Sequence, residues 1–81
     1  MKSIEINEAQ MRITCEKKMG GCLLSVYDGS GDDIRRLYDQ PKLREIIENI
    51  EALSQFDLGH KTVRVDFSDT ERLAKFLERF L

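Results

Sequence analysis

The densest run of oxygen-bearing side chains in the sequence is Asp28-Gly29-Ser30-Gly31-Asp32-Asp33. Oxygens at alternate positions are what a hard cation such as Ca²⁺ or Mg²⁺ takes as ligands, so Asp28, Ser30 and Asp32 form a candidate ligand loop. Three acidic groups ahead of a helix favour a cation there over a phosphate. The match to a known calcium loop is poor. An EF-hand needs glycine at its sixth position, where this chain has Asp33, and its closing glutamate falls on Asp39. The structural alternative is a turn whose Ser30 or Asp32 caps a short following helix.

Two cysteines, Cys15 and Cys22, flank a Gly20-Gly21 break. Their spacing offers neither the two further ligands of a structural zinc nor a Cys-x-x-Cys redox pair. Reduced, partly buried thiols are the expectation, with a disulfide open to them if the strand register makes them neighbours. The single histidine, His60, has no serine, cysteine or carboxylate set beside it as a catalytic partner, and reads as a cation near a helix C-terminus. No nucleotide loop, metal set or catalytic constellation stands out. The chain is therefore expected to be non-enzymatic and to carry no cofactor.

Basic residues gather in two places. Lys17 and Lys18 sit at a hairpin tip, and Arg72, Lys75 and Arg79 share one flank of the last helix, within about 60° of each other at 100° per residue. Glu71 and Glu78 lie among them, and Glu71 with Lys75 has the favourable i, i+4 order, so ordinary surface pairing explains the patch. Formal charge is −2 over 81 residues. That balance speaks against a dedicated nucleic-acid binder and against a polybasic membrane anchor. The opening MKSIEINEAQ lacks the apolar centre of an export signal, and no run approaches the roughly 18 apolar residues of a membrane span. A cytoplasmic location without membrane contact is the expectation.

The elements that must position these residues follow from periodicity. Leu43, Ile46, Ile47, Ile50 and Leu53 recur at i, i+3, i+4 and i+7, which predicts a helix from Pro41 with its stop at Gly59 and Asp39 or Gln40 as cap. Ile4 and Ile6 alternate on even numbers, Met11, Ile13 and Cys15 on odd ones. One strand with one buried face cannot do both, so a turn is required near Asn7 to Gln10. A glycine turn then leads into a strand over 22–27, where Leu23 and Tyr27 put bulk on the second face. Ile34, Leu37 and Tyr38 predict a short helix. Val63, Val65 and Phe67 alternate as the inward face of a strand over 61–67. Ser68 and Glu71 fit a capping box before a last helix carrying Leu73, Phe76, Leu77, Phe80 and Leu81.

The expected fold is α+β, a two-layer α/β sandwich in ββ(β)αβα order, with a three- or four-stranded mixed sheet and both main helices on one face. With 41% hydrophobic and 35% charged residues, residues 1–81 make one small globular domain without repeats. Absence of chemistry then points to a small protein-interaction module, a regulator, adaptor or inhibitor docking on a larger protein, with a homodimer as a variant. The expected contact residues are Arg72, Lys75, Phe76, Arg79, Phe80 and Leu81, because bulk concentrated at the end of the chain is hard for a small sheet to cover. A cation- or small-ligand-binding domain using the Asp28 to Asp33 loop is the alternative, and a nucleic-acid-associated protein the weaker one.

Overall fold

The computed structural model describes residues 1–81. Four strands come first: β1 (Lys2–Ile6), β2 (Met11–Lys18), β3 (Gly21–Tyr27) and β4 (Ile34–Tyr38). They are followed by α1 (Gln40–Leu53), a short hairpin of β5 (Gln55–Asp57) and β6 (Thr62–Arg64), a 3-10 turn (Phe67–Asp69) and α2 (Thr70–Glu78). The fold class is α+β, with a four-stranded antiparallel sheet in the order β1-β2-β3-β4 and a separate two-stranded sheet.

The change of phase after Ile6 is resolved where the sequence requires it. Ile6 pairs with Met11, and Asn7 to Gln10 form the turn, closed by the Gln10 N–H on the Asn7 carbonyl at 3.1 Å. Asn7, Glu8 and Ala9 all take left-handed conformations, φ 56°, 58° and 65°. Such conformations cost side-chain-bearing residues roughly 1 kcal/mol or more each, so other contacts must hold this turn. The β2–β3 hairpin turns at Met19-Gly20, with Lys18 opposite Gly21. A side chain at Gly21 would collide with the Tyr38 carbonyl of β4, which packs against its Cα.

One face of the four-stranded sheet is buried. Ile6, Ile13, Cys15, Cys22, Leu24, Val26, Ile34 and Tyr38 join Leu43, Ile46, Ile47 and Ile50 of α1 and Leu73, Ala74, Phe76 and Leu77 of α2 in one apolar cluster. Phe56, Leu58, Val63 and Val65 from the small hairpin complete it. The other face carries Arg12 stacked on Tyr27, its guanidinium carbon 5.0 Å from the ring centroid, with Leu37 half exposed.

Five expectations are corrected. Residues 34–38 are a strand and not a helix: Ile34, Arg36 and Tyr38 share the inner side, and the arginine in the middle hid the alternation. Arg36 leans over the sheet edge and donates to the Leu58 carbonyl at 3.2 Å, an inward charge that also blocks edge pairing. The first helix stops at Leu53 and not at Gly59, because Ser54 turns left-handed at φ 53° and Gln55–Asp57 leave to pair with β6. The strand after Gly59 is only Thr62–Arg64 and pairs antiparallel with β5, so the main sheet is not mixed and no parallel crossover exists. The capping box at Ser68 does not form: the 3-10 turn runs into α2 with no side-chain cap. Finally, Cys15 and Cys22 are bridged. Lys17 pairs with Cys22, which sets Cys15 diagonally across on the same inward face, with Cα atoms 6.3 Å apart, inside the range a disulfide spans.

Candidate functional site

Of the exposed large apolar side chains, two border the same surface depression. Leu53, the last residue of α1, is 61% exposed, and Phe67, the first of the 3-10 turn, is 90% exposed. Both line one depression, together with Asn7, Ser54, Arg64 and Asp66. Alternation with Val63 and Val65 had placed Phe67 inside. The strand ends at Arg64, however, and the backbone coils into a 3-10 turn that throws the ring outward.

The backbone under these side chains is pinned from several sides. Asp39 caps α1 by accepting from the Lys42 N–H at 2.9 Å, with Pro41 just inside the helix where it has no hydrogen bond to lose. At the other end the Ser54 N–H closes on the Ile50 carbonyl, and the Ser54 carbonyl accepts from the Val65 N–H at 2.9 Å. The Ser54 and Thr70 hydroxyls meet at 3.1 Å, tying the end of α1 to the start of α2. Asn7 does the rest. Its Nδ2 donates to the Arg64 carbonyl at 2.8 Å, its Oδ1 accepts from the Asp66 N–H at 2.7 Å, and its own N–H donates to Asp69 Oδ2 at 2.7 Å. Asp69 in turn holds Arg72 Nη1 at 2.5 Å. The left-handed β1–β2 turn and the Phe67 turn thus brace each other across the whole length of the sequence.

Beside Phe67, α1 and α2 frame an open groove of about 620 Å³. Ala74 is one of its few apolar walls, while Glu51, Glu71 and Glu78 supply carboxylates and Lys75 a single ammonium. Lys75 is taken by Glu71 at 2.8 Å, which lowers the pKa of the glutamate and raises that of the lysine.

The residues singled out in the sequence fall in different places. Phe76 and Phe80 are core, 8% and 9% exposed, with ring centroids 5.6 Å apart. Leu81 packs against the same cluster, and Lys17 Nζ donates to the Phe80 and Leu81 carbonyls at 3.2 and 3.3 Å, so the end of the chain is tied down and covered. Arg72 serves Asp69 and the Glu5 carbonyl, Lys75 lies in the groove, and Arg79 is exposed. Of these residues only Lys75 lines the groove beside Phe67; Arg72 and the two aromatic rings do not.

The acidic loop is occupied by its own chain. Asp28 Oδ1 accepts from the Ser30 N–H at 2.9 Å and from the Ser30 hydroxyl at 2.5 Å, and Oδ2 pairs with Lys61 Nζ. Lys61 also reaches the Asp32 carbonyl at 3.3 Å, so the loop is latched to the β5–β6 hairpin. That ammonium, aided by Ser30, holds the Asp28 carboxyl far below the usual carboxylate range. No three residues of the His, Cys, Asp and Glu types come together in a metal-holding group. His60 lies in the β5–β6 turn and not at a helix end, its Nδ1 3.5 Å from Arg36 Nη2.

No helix is long and apolar enough to cross a membrane. No protein-family profile, characterised protein or solved structure matches the chain.

Proposed function

We propose that this chain is a small non-enzymatic interaction module, a regulator, adaptor or inhibitor that docks on a larger protein through the surface around Leu53 and Phe67. The observation that carries the reading is a pair of large apolar side chains, 61% and 90% exposed, on backbone fixed by Ser54, Asn7 and Asp66. Large exposed apolar side chains bordering one depression are a contact signal, and presenting them on pinned backbone reduces the ordering cost of association. The same reading takes the molecule as a two-layer sandwich with both helices on one sheet face, leaving no interior for a reaction chamber.

The test compares the wild type with Leu53→Ser/Phe67→Ser. Both positions are exposed, so the change in stability should stay within about 0.5 kcal/mol. The wild type should retain a specific partner from cell extract, or self-associate by light scattering if the partner is a second copy, and the variant should do neither. A strictly monomeric wild type that retains nothing, or a variant that retains the same partner equally well, ends the reading.

The alternatives have less behind them. A cation or small ligand at the Asp28 to Asp33 loop would have to displace Lys61 and Ser30 from Asp28. Nucleic-acid binding would draw on Lys17, Lys18 and the Arg72 flank, of which all but Arg79 are already engaged with backbone or carboxylate oxygens. The redox state of the two cysteines in cells bears on the compartment. A cytoplasmic protein would keep Cys15 and Cys22 reduced, whereas the bridged form belongs to an oxidising compartment. Differential thiol labelling of protein taken directly from cells decides between them.

A further inference from the structure

We infer that the groove between α1 and α2 receives a cationic segment of the partner, anchored by one apolar side chain against Phe67. This rests on the preceding reading of the Leu53–Phe67 surface and names the chemistry of what docks there. Three carboxylates and one ammonium line the groove, a formal charge of −2, equal to the net charge of the entire chain. Glu71 and Lys75 satisfy each other, but Glu51 on α1 and Glu78 on α2 belong to none of the ion pairs in the molecule. They stand on opposite walls. A chain laid between them meets a carboxylate on either side, with Ala74 too small to obstruct it and Phe67 exposed beside it.

No cation of the molecule closes an ion pair with either carboxylate. Arg12 and Arg35, which also make no ion pair, lie on the outer face of the four-stranded sheet, on the other side of the core. An acidic segment would be repelled, and a purely apolar one would strip water from Glu51 and Glu78 without pairing them. A segment bearing Lys or Arg on both sides of one large apolar residue pairs both carboxylates and covers Phe67.

Selection of random displayed peptides on the intact chain, with counter-selection on Phe67→Ser, tests this. The expected winners are net-basic, contain an aromatic or large aliphatic residue, and bind Glu51→Lys/Glu78→Lys about tenfold or more weakly than wild type, with affinity falling as salt is raised. A control with the same change in net charge, Glu8→Lys/Asp33→Lys, lies on exposed loops outside the groove and should leave affinity nearly unchanged. Winners that need Phe67 but are neutral or acidic, or that the control weakens as much as the groove variant, overturn the cationic assignment and leave the docking surface standing. If no peptide depends on Phe67, both fall. Binding by a second copy through its Arg12 and Arg35 face, seen by light scattering and lost in Arg12→Glu/Arg35→Glu, would also overturn the assignment to a segment of another protein.

Discussion

Asn7 occupies a left-handed conformation that asparagine tolerates better than most residues, and its side chain ties the first turn of the chain to the last. Asn7→Ala removes two hydrogen bonds and leaves a methyl group in a strained backbone. It should cost about 2 kcal/mol in urea denaturation, with the loss concentrated near Phe67 in hydrogen exchange. Asp28 behaves differently because its partner is an ammonium. Its folded pKa is depressed, so its contribution is present above the unfolded value near pH 4 and disappears as pH falls toward the folded value. Asp28→Asn should therefore be less stable than wild type at neutral pH, and the gap should close on acidification below about pH 4. Tyr38 is the opposite case, a buried hydroxyl with no hydrogen-bond partner and a pKa raised by burial. Removing an unsatisfied group costs nothing it was contributing. Tyr38→Phe should be neutral or stabilising by up to about 1 kcal/mol at neutral pH, measured by thermal or urea unfolding.

At the scale of elements, β4 packs closely against the start of β3. Gly21 lies under the Tyr38 carbonyl, so Gly21→Ala must push β4 away from β3 or bend the hairpin. A loss of more than about 2 kcal/mol is expected in urea denaturation, against about 1 kcal/mol for the same change at Gly20, whose Cα faces open space but whose φ of 89° is left-handed. The elements also differ in how legible they were. α1 and the first two hairpins could be read from the sequence, because an Ile/Leu stripe and a switch of alternation have one physical solution each. β4 could not. Ile34, Leu37 and Tyr38 fit a helical face, and only the tertiary role of Arg36, reaching from the inner side to Leu58, reveals the strand. The end of α1 was hidden for a related reason: Phe56 and Leu58 extend the helical stripe, yet they alternate equally well as strand residues. Pairing of β5 with β6, a non-local term, decides it.

For the molecule as a whole, the sequence misplaced the exposed apolar surface. Crowded bulk at the C-terminus suggested exposed rings, but Phe76 and Phe80 are covered once the small hairpin adds Phe56, Leu58, Val63 and Val65 to the core. Phe67 passed as the third member of an inward alternation, and its only sequence signal was the Asp66-Phe67-Ser68-Asp69 run, polar on both sides of the ring and unlike a strand end buried in the core. Of the exposed large apolar side chains, Leu53 and Phe67 meet at one corner, apart from Met19 at the β2–β3 turn and Leu37 on the outer sheet face. Photo-crosslinking in cells tests that corner directly, with a photoreactive phenylalanine at position 67 and, as control, at position 19, which is 98% exposed on the distant β2–β3 turn. One discrete adduct from position 67 and none from position 19 is the predicted result. No adduct from 67, or the same adducts from both positions, would contradict the account.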